Sequence, residues 1–169
     1  MCYKPVSSGI LGIDRNQEIK MQWKPNTTVA AIAEKEGRFL LVEENINDKL
    51  VFNQPAGHLE HGESLIEAVK REVLEETAWE FEPEYLVGVY LYPNPNDSKI
   101  TYLRFCFYGH CNKEHKGQAL DDGILRAAWL SPEEIEKERA RMRSPLVTRC
   151  INDYLEGNRY PLDIIHHAI

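Results

Sequence analysis

Hydrophobic runs separated by turn residues predict a series of short β-strands in the first third of the chain. Residues 28–33 (TVAAIA) form an uninterrupted apolar run, which is typical of a strand buried on both faces. Residues 38–43 (RFLLVE) follow a turn and are predicted to be its partner strand. After a second turn at Asn47 and Asp48, residues 50–52 predict a third strand. The prolines and glycines of residues 55–62 then predict an irregular loop.

An amphipathic helix is predicted directly after this loop. Ser64 and Glu67 have the spacing of a capping box, in which each residue satisfies a backbone N–H of the other at the first turn of a helix. Ile66, Val69 and Val73 then recur at helical spacing and form an apolar stripe. We expect this stripe to pack on a sheet and to leave the neighbouring side of the helix facing a cleft.

The second half of the chain mixes further strands with helices of unequal length. The predicted elements are strands over residues 85–92, 101–108 and 124–130, a helix from Ser131 to about Arg141, and a last helix from Ser144 to Gly157. This order favours an α/β fold, with helices on both faces of a mixed sheet, over a regular parallel array.

Composition narrows the classes of function. The chain has 169 residues, which suits one domain, and its net charge of −7, without a long basic run, argues against a nucleic-acid partner. No apolar stretch has the length of a membrane span. The four cysteines form no CxxC pair, which fits a reducing cytoplasm. Residues 1–23 lack a periodic pattern, so we expect a loosely ordered N-terminal extension before a domain over residues 24–169.

Three carboxylates are crowded on one side of the predicted helix. At 3.6 residues per turn, Glu72, Glu75 and Glu76 share a sector roughly 100° wide. Two carboxylates about 4 Å apart repel by about 4 kcal/mol at an effective dielectric constant of 20, and a divalent cation reverses the sign of this interaction. Carboxylate oxygens are ligands that Mg²⁺ or Mn²⁺ selects, and Mg²⁺ shares its coordination with substrate phosphates, so a diphosphate substrate is indicated. The alternative is a purely structural acidic helix whose face is solvated.

The loop and the helix together resemble the Nudix hydrolase family. The matching positions of the family's sequence box are Gly57, Glu63, Arg71, Glu72, Val73, Glu75 and Glu76. The chain departs from the box at Ala78, where the family usually has glycine, and at Trp79, where it usually has an aliphatic residue. The first departure puts the turn at the end of the helix in doubt more than the metal ligands.

The resemblance implies a Nudix-type α/β/α sandwich around a mixed β-sheet, and hydrolysis of diphosphate compounds with Mg²⁺ or Mn²⁺. By position, Glu72 and Glu76 would be the principal metal ligands and Glu75 a ligand or the base. Arg71 would orient these carboxylates and Glu63 would assist them. The carbonyl of Ala56, just before the box glycine, would be a further ligand.

Segments spread over residues 24–162 resemble one group within the family, the NudJ-type phosphatases. That resemblance implies hydrolysis of nucleoside tri- and diphosphates, or of the thiamine pyrimidine precursor diphosphate. Pro95 lies in a turn where ADP-ribose pyrophosphatases of the family have similar prolines, so an ADP-ribose-type substrate is an alternative. A Nudix-fold module that binds a nucleotide without turnover is another, and the sequence leaves open whether the protein is a monomer or a homodimer.

Candidate substrate-binding residues lie outside the box. Arg104 is the one charged side chain in an otherwise aromatic strand and would bind phosphate, unless it is an edge-strand arginine that covers apolar surface with its stem. Tyr102, on the same face, would stack on a base or pyrimidine ring. The remaining candidates are Asn53, Gln54 and Arg143 for substrate, and Asp121 and Asp122 as extra acidic residues or as ordinary turn residues.

Overall fold

The computed structural model describes residues 23–168, and most of the predicted extension, residues 1–22, lies outside the described residues. The strands are β1 (Asn26–Lys35), β2 (Arg38–Ile46), β3 (Lys49–Asn53), β4 (Ala56–His58), β5 (Trp79–Pro93), β6 (Thr101–Glu114), β7 (Ile124–Leu130) and β8 (Tyr160–Pro161). The helices are α1 (Leu65–Thr77), α2 (Pro132–Lys137) and α3 (Pro145–Leu155), with 3₁₀ turns at Arg139–Arg141 and Leu162–Ile164. No helix in this part of the chain is long and apolar enough to cross a bilayer.

The sheet is mixed, and β1 pairs with three other strands in it. β1 runs parallel to β6 on one side and antiparallel to the short β4 on the other. Its last residues form a hairpin with β2, which pairs in turn with β3 and β7. β5 is antiparallel to β6 over nearly its whole length and carries β8 at its other edge. The predicted mixed sheet is confirmed.

Alternate residues of β1 pack into two separate hydrophobic cores, one on each face of the sheet. Val29 and Ala31 face the core that α1 covers, whereas Ala30 and Ile32 face the core that α2 and α3 cover. This is the alternation that a strand buried on both faces requires, and it explains why residues 28–33 contain no polar break after Thr28. The result is the predicted α/β/α sandwich.

The structure departs from the predicted elements at their ends. β5 begins at Trp79, directly after the helix, because Ala78 adopts a left-handed conformation (φ 59°, ψ 18°) and reverses the chain at once. β6 continues to Glu114 because its polar end pairs with the early part of β5. The helix predicted to reach about Arg141 ends at Lys137 and is followed by the 3₁₀ turn. Residues 56–58 of the predicted loop form β4, the strand that carries the box glycine.

Candidate active site

The acidic helix α1 is fixed at its start and along its apolar stripe. The Ser64 side chain accepts a hydrogen bond from the N–H of Glu67, and the N–H of Ser64 donates to the Glu67 carboxylate at 2.8 Å, so the predicted capping box is confirmed. Val69 and Val73 are fully buried against the sheet. The docking of these two residues sets the rotation of the helix and turns Glu72 and Glu76 towards β4.

Arg71 ties the helix to the loop that precedes it. Its guanidinium donates to both oxygens of Glu63, at 2.8 and 3.0 Å, and to the carbonyl of His58 at 3.0 Å. It also donates to Glu72 at 2.8 Å and to Glu75 at 3.0 Å. The hydrogen bonds that Arg71 donates to Glu63 lower the pKa of Glu63. One planar cation therefore holds three carboxylates in place, which a lysine could not do with the same geometry.

Gly57 makes room for Glu72. A Cβ atom at position 57 would lie 2.1–2.2 Å from the carboxylate atoms of Glu72, far inside van der Waals contact. The glycine of the box is therefore required by the close approach of a side chain, and it lets the Glu72 carboxylate lie against the backbone of β4.

The Glu76 carboxylate is almost completely buried, with 8% of the residue exposed, and it accepts a hydrogen bond from the N–H of Ala56 at 2.9 Å. Burial raises its pKa to about 8, and burial also raises the pKa of Glu72. No ion pair within residues 23–168 involves Glu76, and in the described conformation no three acidic, histidine or cysteine side chains are gathered closely enough to enclose a metal ion. Carboxylate oxygens that are buried without a cationic partner nevertheless fit a hard divalent cation, which would offset the cost of burying them.

The structure places the other acidic candidates at the edge of this cluster. The Glu75 side chain is 40% exposed and directed to Arg71, so it is less enclosed than Glu72 and Glu76. The N–H of Asp121 donates to the carbonyl of Glu75 at 3.1 Å, which brings the loop before β7 to the end of α1. Asp122 is exposed.

A cleft of about 630 Å³ opens beside β4 and contains most of the predicted substrate-binding residues. Asn53, Tyr102, Arg104 and Arg143 lie on its wall together with Ala56. The Nε and Nη1 atoms of Arg104 are buried and have no hydrogen-bond partner within the described part of the chain. β6 lies between β1 and β5, so the alternative of an edge-strand arginine is wrong.

Gln54 is the candidate that the structure does not bring to the cleft. It is 1% exposed, and its amide nitrogen faces the carbonyl of Ala31 and the sulfur of Cys106 inside the core. Neighbouring residues of an extended segment point in opposite directions, so Asn53 reaches the wall of the cleft and Gln54 cannot.

Sequence reasoning missed Glu44, a buried carboxylate of β2 whose Oε2 accepts a hydrogen bond from Arg143. Thr28 and Tyr92, on the cleft wall, were also missed. The available signal for Glu44 was a pair of glutamates at the end of a buried hydrophobic run. Such a position is costly for a carboxylate without a partner.

The NUDIX domain family model matches residues 23–149 of the chain. The chain belongs to the Nudix family. Phosphatase NudJ of Escherichia coli strain K12 is 42% identical over 143 residues, which cover 85% of this chain and 92% of the relative. A NUDIX hydrolase from Nitrosomonas europaea of known structure is 50% identical, with a TM-score of 0.83, over 86% of this chain and 98% of the other.

A third similar structure is more distant. The NUDIX domain of Shewanella oneidensis NrtR, complexed with ADP ribose, is 17% identical with a TM-score of 0.64, over 83% of this chain and 93% of the other, and it shares the fold alone. The family and the NudJ relatives together identify this Nudix protein as a hydrolase of acid anhydrides in phosphorus-containing compounds.

Proposed function

We propose that this Nudix hydrolase is a Mg²⁺- or Mn²⁺-dependent phosphatase that cleaves phosphoanhydride bonds of nucleoside tri- and diphosphates or of the thiamine pyrimidine precursor diphosphate. The observation that carries the proposal is the presence of two opposite electrostatic features beside β4. The buried carboxylates of α1 lie against β4, and Arg104, whose buried Nε and Nη1 have no hydrogen-bond partner among the described residues, lies in the cleft beside the same strand. The first suits a dication, and the second suits a phosphate.

The carboxylates and the backbone of β4 would hold the metal ion. Glu72 and Glu76 would be the principal ligands, with the carbonyl of Ala56 as a further one. The ion would supply charge neutralisation at the phosphates and a more acidic bound water. Arg71 keeps Glu72 and Glu75 in place through its hydrogen bonds, and Glu63 anchors Arg71 in turn.

Glu75 is the candidate base for the attacking water. It is less buried than its neighbours, and Arg71 engages only its Oε2, which leaves Oε1 available to accept a proton. Proton acceptance by a positioned carboxylate typically contributes 10²- to 10⁴-fold to the rate. Asp121, whose backbone is bonded to that of Glu75, is the remaining acidic candidate near the base.

The wall of the cleft would bind the substrate. Arg104 and Arg143 would bind its phosphates, because guanidinium groups match phosphate oxygens in geometry and charge. Tyr102 would stack on the base or pyrimidine ring, and Asn53, whose Oδ1 is buried without a hydrogen-bond partner among the described residues, would bind a polar group of the substrate. The similarity to phosphatase NudJ supports the release of phosphate.

ADP-ribose-type pyrophosphatase activity is the second candidate. Pro95 and its neighbours Asn94 and Asn96 lie on the wall of the same cleft, so the turn that first suggested this substrate is in a position to contact one. A binding module without turnover would have the same cleft. Such a module would not need the Arg71 guanidinium to hold three carboxylates in place around α1.

A substrate panel tests the proposal. Nucleoside di- and triphosphates, ADP-ribose and the thiamine precursor are incubated with Mg²⁺ or with a chelator, and orthophosphate and pyrophosphate are measured separately. We expect metal-dependent orthophosphate release that Glu76→Gln nearly abolishes, while Glu82→Gln, an exposed residue of β5, leaves it unchanged. Turnover that is unaltered in Glu76→Gln would refute the metal site, and cleavage of ADP-ribose alone would favour the second candidate.

A further inference from the structure

Two adjacent buried glutamates at the end of β2 have different environments. Glu43 is 9% exposed and both of its oxygens are engaged, because Arg126 donates to Oε2 at 2.7 Å and Arg141 donates to Oε1. Glu44 is 4% exposed, and Arg143 donates to its Oε2. The Oε1 atom of Glu44 is buried and has no hydrogen-bond partner among residues 23–168.

The two side chains point to opposite faces of the sheet. Leu41 faces the core beneath α2 and α3, whereas Leu40 faces the core beneath α1. With the period of two that a strand imposes, Glu43 shares the face of Leu41 and Glu44 shares the face of Leu40. The bulge between them is accommodated by β7, where Leu125 is passed over in the pairing.

Glu44 therefore approaches the carboxylates of α1 from the sheet. Its unpartnered Oε1 atom is buried on the face of the sheet that α1 covers, where Glu72 and Glu76 are also buried. Arg143 is the one arginine that bonds Glu44 within the described chain, and half of its side chain is exposed on the cleft. A buried carboxylate oxygen that faces other carboxylates and lacks a partner is unfavourable unless a cation joins the group.

We propose that Glu44 is a ligand of the divalent cation, supplied by β2 from outside the box sequence. The inference rests on the proposed function, since it assigns one more residue to the same cation. In this arrangement Oε1 would bind the ion, while Oε2 keeps its ion pair with Arg143. Arg143 then connects the metal site to the phosphate-binding wall of the cleft.

The direct test is Mn²⁺ binding to the full chain, measured by the loss of the electron paramagnetic resonance signal of free Mn²⁺. We expect Glu44→Gln to raise the Kd for Mn²⁺ about tenfold or more, as is typical when a residue of a metal site is removed. Glu43→Gln is the matched control, because it removes a carboxylate that is also buried but lies on the opposite face, and its Kd should equal that of the wild type. An unchanged Kd in Glu44→Gln, or an equal increase in both variants, would overturn the proposal.

A second pair of variants keeps the test decisive if Glu44→Gln fails to fold. Arg143→Gln removes the positive charge that competes with the cation for Glu44, so Mn²⁺ should bind more tightly than to the wild type. Arg141→Gln, which removes the partner of Glu43, should leave the affinity unchanged. Equal affinities in these two variants would contradict the assignment of Glu44.

The outcomes separate this inference from the proposed function. Hydrolysis by the wild type that survives chelation would refute the metal-dependent function itself. Metal-dependent hydrolysis by the wild type, combined with an unchanged Kd in Glu44→Gln, would refute only the role of Glu44.

Discussion

The substitution Gly57→Ala isolates the contribution of the position of Glu72 to catalysis. The new Cβ would lie 2.1 Å from the nearest Glu72 carboxylate atoms, whereas ordinary contacts between such atoms are about 3.5 Å or more. The carboxylate must therefore move by about 1 Å or more, and a displacement of that size at a catalytic group costs about 10²-fold in rate. The atoms that collide belong to the flexible end of a side chain, so we expect the fold to survive.

The assay compares kcat for phosphate release and the urea-unfolding midpoint of Gly57→Ala with those of Gly62→Ala. Gly62 lies in the same loop and has a φ of 92°, and a Cβ atom added there would meet no atom of the described residues within 4 Å. Its substitution strains the backbone and should lower stability by about 1 kcal/mol while leaving kcat nearly unchanged. A Gly57→Ala variant with wild-type kcat would show that the close approach of Glu72 to β4 is not needed for turnover.

Three further predictions concern the turn after α1, the cleft and the opposite face of β2. Ala78 has a left-handed backbone conformation, which glycine adopts without strain. Ala78→Gly should therefore raise the free energy of unfolding in urea titrations by about 0.5–1 kcal/mol, once the greater flexibility of glycine in the unfolded chain is subtracted. A lower free energy of unfolding would contradict this. Arg104→Met should raise the substrate KM by about 10- to 100-fold, the worth of one or two charge-assisted hydrogen bonds. It should not lower the free energy of unfolding, because the buried Nε and Nη1 of Arg104 have no hydrogen-bond partner among the described residues. A variant that unfolds more easily yet keeps its KM would assign Arg104 a structural role. The hydrogen bond from Arg141, followed by that from Arg126, lowers the pKa of Glu43. The free energy of unfolding that Glu43 adds relative to Glu43→Gln should therefore be present above the ordinary pKa of 4.5 and be lost as the pH falls through the lowered pKa. A difference in unfolding free energy that grows on acidification would exclude this.

The sequence predicts the central strand β1 well because burial on both of its faces leaves a local signature. The predicted bounds of β1 and β7 agree with the structure to within a few residues, since their apolar runs are bounded by turns. The start of β5 was missed because the segment from Trp79 follows the helix directly, without a glycine to mark the end of the helix, and contains Pro83. Only the pairing with the polar end of β6 makes that segment a strand.

For the site, spacing along one helix predicts which carboxylates are neighbours, but it cannot say how far each is enclosed. The helix periodicity groups Glu75 with Glu76, whereas their burial depends on the rotation of α1 against the sheet and on the hydrogen bonds of Arg71. Glu44 is remote in sequence from the helix, and its approach to Glu76 follows from the pairing of β2 within the sheet. Gln54 lies in the core although it is next to Asn53 in sequence, because adjacency in sequence does not mean adjacency in space.

The most direct test of the account is the rate of phosphate release as a function of Mg²⁺ concentration in the wild type and in Glu72→Gln. The account predicts no release by the wild type in excess chelator, a saturable rise with Mg²⁺, and a shift of that rise to higher Mg²⁺ in Glu72→Gln. Equal rates with and without chelator, or superimposable Mg²⁺ curves for the two proteins, would contradict the claim that these carboxylates serve to hold a divalent cation for anhydride cleavage.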